Sequence, residues 1–345
     1  MSITVLVVIV LVLCLVFTYT NGFQDGSSVT ACGIASRAMS PLQAVYLVAT
    51  FELLGALFGG SAVASTIQSI TNWPEQPDLL PVLASGLISA IFWNFATRRM
   101  RIPSSSTHAL VGGVVGALYA AAGSQFIVIG RPDIFHPTGV WKVIITLFAS
   151  PVVGFLAGYV LLKVANVLLL RATMKVNKPI KSLQWLTTAV LAFGHGSNDP
   201  QKSMGIIMLC LHSAGIEEGG SIPFYVRLAT GLTIALGVIG LAPGIVKRVG
   251  SGIYRMKNLD GFVSELSSGG VVLVGSLTGG PVSASQVISS TVMGVGAANR
   301  AKGVQWLAAK ELLVAWFMTI PCSAMLAYSV HGLFLRHLSR WLLTY

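Results

Sequence analysis

Charged side chains are scarce in this sequence, and acidic ones scarcer still: Lys and Arg number 22 and Asp and Glu 11 among 345 residues, and all four types together make up 10%. A soluble domain carries about a quarter of its residues as charges, so a water-facing surface cannot be built from this chain. Cysteine is sparse as well. Cys14, Cys32, Cys210 and Cys322 stand apart in apolar sequence, with no C-x-x-C pair and no histidine spacing beside them. That pattern excludes a disulfide framework and a soft-metal centre and leaves buried thiols. Long polar stretches and lipidation signals are missing too, so neither a soluble domain nor a lipid anchor is expected.

Apolar residues fill the space, at 54% of the chain and a mean hydropathy of +0.78. Runs near or above the length of a bilayer span recur at Ile3 to Phe17, Ala44 to Ile70, Leu79 to Ala96, Ala109 to Ile129, Val140 to Leu170, Phe224 to Val246, around Val271 to Leu277, and at Trp306 to Leu335. The longest leave room for a second crossing or a re-entrant piece. The expectation is an all-α polytopic membrane protein of about ten to twelve membrane segments. The first run lacks the basic region and cleavage pattern of a signal peptide and reads as a retained helix. The net charge of +11 lies mainly in short connections, where it marks cytoplasmic loops, and nucleic acid is not expected as a partner.

By the positive-inside rule, the connections at Arg98, Arg99 and Arg101, at Arg171 to Ser182, at Lys247 to Lys257 and at Arg300 with Lys302 are cytoplasmic. Acidic or Pro-rich connections at Asn72 to Asp78, Arg131 to Pro137 and Gly215 to Gly220 alternate with them. The tail with Arg336 and Arg340 does not fix its own side. Two stretches occur twice. Phe23, Gly26, Ser27 and Ser28 align with Phe193, Gly196, Ser197 and Asn198, and Pro103, Ser105, Thr107 and Gly116 align with Pro281, Ser283, Ser285 and Gly294. The chain thus reads as two repeats, 1–170 and 183–345, joined by a basic cytoplasmic linker, 171–182. The first serine-rich copy starts from the cytoplasmic side. The second follows one crossing after the cytoplasmic Lys247 to Lys257 loop and starts from the outside, so the repeats are inverted. Inverted repeats of membrane helices point to alternating access around a site near the midplane.

Asp25, Asp199 and Lys202 stand out against this background. Each costs about 2.5–3.5 kcal/mol at the centre of a span on insertion scales, so each needs a partner, a cavity or a cation. Asp199 and Lys202, three residues apart, can supply each other as an ion pair on one helix turn. Gly22 and Gly26 around Asp25, and Gly194, Gly196 and Pro200 around Asp199, predict a break in each helix, with freed backbone groups lining a cavity. Asp, Asn and Ser oxygens with freed carbonyls make a hard-oxygen cage that suits Na⁺ or a proton carried on a carboxylate. In "PSSSTH", Pro103 to His108, proline and the hydroxyl residues predict the start of a half-helix. The hydroxyls of Ser104, Ser105, Ser106 and Thr107, free N–H groups and the positive dipole end converge there, as a tetrahedral oxyanion requires. Ser283 and Ser285 repeat the arrangement from the other side, with Gln286 where the first copy has His108.

These motifs resemble the inorganic phosphate transporter family of cation-coupled symporters, some of whose members carry sulfate. "FGHGSNDPQKSMGII" is similar to a signature of the form HGANDxQKxMG, and "GFQDGSSVTACGIASRAMSP" to one of the form GxNDGANxxAxxIASRxLSP. "IPSSSTHALVGGVVGA" and "VSASQVISSTVMGVGAANR" look like the family's paired hairpin segments. The resemblance runs from about Gly22 to about Trp306. It implies an inverted-repeat fold with broken helices and two re-entrant helical hairpins, a Na⁺ or H⁺ coupling ion with no other cofactor, a homodimer, and a place in the cell membrane. On this reading Ser104, Ser105, Ser106, Thr107, Ser283 and Ser285, with Gln24 and Asn198, hold inorganic phosphate. Asp25, Asp199, Ser28 and Asn198 hold the monovalent cation, and Lys202 is the charge partner. The chain departs from the pattern at Gln24, Ser28, Ala284 and Gln286, which opens sulfate as an alternative substrate.

Two other classes compete. A passive anion channel could use the same hydroxyl-lined half-helices without a coupling ion. An intramembrane hydrolase would need Ser106 and His108 as nucleophile and base, but two residues apart on a helix they point to different faces, and no GxSxG-type elbow surrounds them. The chain is not expected to be an enzyme.

Overall fold

The computed structural model describes residues 2–342 apart from 75, 77, 101–103, 134–135, 218–219 and 241–242, and side chains only as far as 333. Pro103, Arg101 and the side chains of Arg336 and Arg340, all used above, lie outside the described residues.

Among the described residues the chain is helical, without a strand. The helices in order are α1 (Ile3–Ala35), α2 (Pro41–Phe58), α3 (Ala62–Gln68), α4 (Leu79–Met100), α5 (Ser106–Ala122), α6 (Gly139–Leu168), α7 (Asn177–Gly196), α8 (Asp199–Ser213), α9 (Phe224–Ile239), α10 (Pro243–Lys247), α11 (Asn258–Thr278), α12 (Ala284–Arg300) and α13 (Trp306–Leu342). Six of these, α1, α2, α4, α6, α11 and α13, are long and apolar enough to cross a bilayer, and the bent pair α9–α10 makes a seventh if taken as one span. The ten to twelve segments expected include re-entrant pieces as well as crossings. The helices outside the spanning set have a cause in composition: α7, α8 and α12 carry polar residues of the site, and α5 is only 17 residues long. The outer faces are apolar as lipid demands, with Val152, Leu156, Val160, Val164 and Val167 all exposed along α6.

The expected break at Gln24 to Ser28 is absent: α1 runs unbroken for 33 residues. Its glycines serve close packing instead. A Cβ on Gly237 of α9 would come within 2.9 Å of the Gly22 Cα, and one on Gly26 within 2.8 Å of Val238 Cγ2. The roughly 1 kcal/mol that a helical glycine costs is offset by this approach of two backbones. The second copy does break, between α7 and α8, where Asn198 stands outside both helices and Pro200 opens the next.

Two helical hairpins shape the centre. In the first, α4 packs against α5, and in the second, α11 packs against α12. α11 stops at Gly279, whose φ of +71° only glycine adopts freely, and the Gly280 N–H closes the turn on the Gly275 carbonyl at 2.8 Å. The return helices are exchanged between the two parts of the chain: α5 lies along α13, and α12 along α6. Both hairpin tips end beside α1 and α8.

Candidate functional site

α1 contributes Asn21, Gln24 and Asp25, the end of α7 contributes His195, and Asn198 with Asp199 and Lys202 of α8 completes the set. The tips of the hairpins, 104–107 and 282–285, close on them. Every one of these residues is at most 1% exposed, so each polar atom must find its partner inside the protein.

The first tip is held by α1. Gln24 Nε2 donates to Ser104 Oγ at 2.7 Å, and that hydroxyl donates to Thr97 Oγ1 of α4 at 2.8 Å. Ser105 caps α5, its Oγ accepting from the His108 N–H at 3.1 Å. Ser106 Oγ donates to Asp25 Oδ2 at 2.6 Å. The second tip meets the first directly, with Ser285 Oγ donating to the Ser104 carbonyl at 3.0 Å and Thr107 Oγ1 lying 3.3 Å from the Val282 carbonyl. Ser283 Oγ stands 3.3 Å from Ser285 Oγ. Asn198 serves the second hairpin, donating from Nδ2 to the Gly280 carbonyl at 3.1 Å and to Ser276 Oγ at 3.2 Å.

The charges form a second layer. Asp199 and Lys202 make the ion pair that their spacing allows, with Lys202 Nζ 2.7 Å from Asp199 Oδ1. Nζ also donates to Thr107 Oγ1 at 2.5 Å and to the Val282 carbonyl at 2.9 Å. Asp199 Oδ2 accepts from Asn21 Nδ2 at 2.9 Å and lies 3.4 Å from His195 Nε2. His195 Nδ1 lies 2.7 Å from Glu52 Oε1 of α2. Asp25 Oδ1 is buried without a hydrogen-bond partner, and ligand atoms of Asp25, His195 and Asp199 all fall within 4.8 Å of one another. Three carboxylates thus face one ammonium and one imidazole. Even with the imidazole protonated, one negative charge is uncompensated, which the interior tolerates only with a bound cation or a proton.

Of the residues expected from sequence, Gln24, Asp25, Asn198, Asp199, Lys202, Ser104, Ser105, Ser106, Thr107, Ser283 and Ser285 come together. Ser28, one turn along α1 from Asp25, has a buried hydroxyl with no partner. Ser106 and His108 do not form a dyad, because Ser106 is spent on Asp25 and His108 Nδ1 pairs with Gln286 Nε2 at 3.0 Å. Sequence reading missed Asn21, Thr97, Glu52 and His195. Glu52 gave the same signal as Asp25, a carboxylate inside an apolar run, and Asn21 precedes Asp25 by one helical turn. It also missed a second buried polar group between α7 and α11, where Thr187 Oγ1 donates to Glu265 Oε2 at 2.7 Å while Glu265 Oε1 has no partner.

The phosphate transporter family matches residues 21–178 and 171–327. A probable low-affinity inorganic phosphate transporter of Bacillus subtilis is 33% identical over 94% of this chain and 96% of its own length. One from Rhizobium meliloti is 34% identical over 91% and 92%. A solved structure described as the sodium-dependent phosphate transporter shares the fold, with a TM-score of 0.83 at 24% identity over 96% of this chain and 99% of that one. The relatives are named as transporters and permeases, not enzymes. With the family matching most of the chain, relatives at a third identity along nearly its whole length, and six apolar helices around a buried polar centre, this chain is a multi-pass membrane protein and belongs to the phosphate transporter family.

Proposed function

We propose that the chain carries inorganic phosphate across the cell membrane in symport with a monovalent cation, Na⁺ or H⁺, by alternating access. The single observation that carries the coupling is the buried, unpartnered Asp25 Oδ1 beside Asp199 and His195, in a cluster that is negative by at least one charge whenever its carboxylates are ionised. An anion entering such a cluster is repelled unless a cation comes with it. Bound together, cation and oxyanion neutralise each other and lower the cost of crossing a low-dielectric region.

In this reading the anion is held at the hairpin tips by Ser104, Ser106, Thr107, Ser283 and Ser285, with Ser105 spent as a cap, Gln24 fixing the first tip and Asn198 the second. The cation is held by Asp25 and Asp199, with Ser28 and Asn198 Oδ1 within the same buried belt. Repeats at 1–170 and 183–345, joined by the linker 171–182, supply the bodies that move against each other around this centre. The exchanged packing of α5 on α13 and α12 on α6 interleaves the two repeats, so each moving body draws helices from both. α5 and α12 have 17 residues each, about 26 Å of helix against a hydrocarbon core of about 30 Å, which supports re-entrant hairpins. The names borne by the relatives support phosphate over sulfate. The resemblance alone supports a homodimer.

The test is uptake of radiolabelled phosphate into proteoliposomes under an imposed Na⁺ or H⁺ gradient, with excess unlabelled sulfate as competitor. Gradient-driven uptake that resists sulfate is expected and names the coupling ion. Uptake indifferent to both gradients would make the protein a channel, and displacement by sulfate would reassign the anion.

A further inference from the structure

Lys202 is among the largest fully buried side chains of the protein, with 0% of its surface exposed. Balancing Asp199 would require a single contact. The ammonium makes three, each to oxygen and each from a different part of the fold: the Asp199 carboxylate of α8 at 2.7 Å, the Thr107 hydroxyl of the first tip at 2.5 Å, and the Val282 backbone carbonyl of the second tip at 2.9 Å. One carboxylate, one hydroxyl and one carbonyl freed at a helix end are the hard donors that hold a small cation. Beside this cage lies the second position, where Asp25 Oδ1 has no partner and Asp25, His195 and Asp199 converge. Asp199 borders both, giving Oδ1 to the ammonium and Oδ2 to Asn21.

We propose that the Lys202 ammonium is a tethered cation that permanently fills one of two adjacent cation positions, so that this chain moves with one free cation fewer than the same site would need without the lysine. The inference rests on the symport reading and specifies its stoichiometry. Removing the charge while keeping the bulk leaves Asp199 Oδ1, Thr107 Oγ1 and the Val282 carbonyl as an empty oxygen cage, which a dissolved cation should enter. Ammonium is the apt probe, because it presents the same group as the lysine terminus without the tether.

The experiment compares wild type with Lys202→Met and Lys202→Gln, purified and reconstituted. Phosphate uptake is measured against the concentration of Na⁺ and of ammonium, with choline as the inert replacement. In parallel, thermal unfolding in detergent is followed in each salt. The expected result is a steeper cation dependence in the variants, with the Hill slope rising by about one, uptake restored by ammonium, and a Tm raised by Na⁺ or ammonium over choline beyond any rise in the wild type. A variant that is monodisperse yet keeps the wild-type slope and gains no cation-specific stabilisation would overturn the proposal. So would one that is inactive and unstabilised in every salt. Recovery of either variant suffices. A wild type indifferent to every cation gradient would remove the symport reading instead and leave this comparison intact, since the new requirement is read against the wild type.

Discussion

Asp25→Asn isolates the carboxylate that has no cation of its own. The amide keeps the shape of the side chain, and its oxygen can still accept from Ser106, which now lies 2.6 Å from Asp25 Oδ2. What disappears is one negative charge in a cluster whose ligand atoms lie within 4.8 Å of one another. At such separations, and at the effective dielectric of about 20 that describes protein sites, a unit charge pair is worth about 3.5–4 kcal/mol, so cation affinity should fall roughly 10²–10³-fold. The fold should be spared, because the lost charge had no protein counter-ion of its own to leave stranded. The assay is initial phosphate uptake into proteoliposomes as a function of cation concentration, alongside thermal unfolding of the purified protein. Expected are an unchanged or raised Tm and a half-saturating cation concentration displaced by at least two decades, so that uptake at ordinary cation levels is nearly lost. A correctly inserted Asp25→Asn protein with wild-type cation dependence would show that Asp25 Oδ1 binds nothing in the cycle, and the charge argument would fail with it.

Asp199→Asn should behave differently, since it strands Lys202 in a buried site. Breaking such a pair costs about 3–5 kcal/mol, to be seen as a marked fall in Tm and in yield, and a variant as stable as wild type would contradict the pairing. Gln24→Leu removes the donor that anchors the first tip at Ser104. A loss of about 1–3 kcal/mol there should appear as a KM for phosphate raised roughly tenfold or more with the order in cation unchanged, whereas an unaltered KM would free Gln24 from any part in anion binding. Ser105→Ala deletes only the cap of α5 and should cost about 1 kcal/mol, lowering Tm modestly. Loss of transport at full stability would instead mean that its hydroxyl leaves the cap to bind the anion.

The membrane class, the helices and the four motifs could be read from the sequence because each is a local signal. Apolar runs report spans, and a carboxylate or lysine inside such a run is conspicuous for its cost. What escaped reading depends on contacts across the chain. Glu52 becomes part of the site only because His195, far along the chain, reaches it at 2.7 Å, and no local pattern pairs the two. Gly22 and Gly26 read as breakers, since glycine weakens a lone helix, but the approach of α9 decides their effect and keeps α1 whole. Asn198 was expected to hold both anion and cation, and what could not be read is that its amide nitrogen is drawn to Ser276 and Gly280, because the end of α11 leaves a carbonyl there in need of a donor. The count of full crossings falls below the number of helices for a related reason: the helices that assemble the site give up apolar residues for polar ones.

The same contacts bear on how substrate binding could control movement. Lys202 holds one oxygen from each hairpin tip, Thr107 from the first and Val282 from the second, while its charge is anchored to Asp199 on α8. A tip that swings away strips the ammonium of a ligand in a place where water is excluded, and the cost of an unsatisfied buried charge opposes the motion. An anion at the tips changes that balance, since its oxygens can replace the departing hydroxyl or carbonyl. The Asp25 side has no such tether: Ser106 ties it to the first tip alone, and Oδ1 has no partner. Opening therefore costs least when both sides are satisfied, the ammonium by the anion and the carboxylate by the free cation. With only one bound, either the ammonium loses a ligand or the cluster keeps its uncompensated charge, and on the symport reading either penalty opposes movement of a half-loaded site.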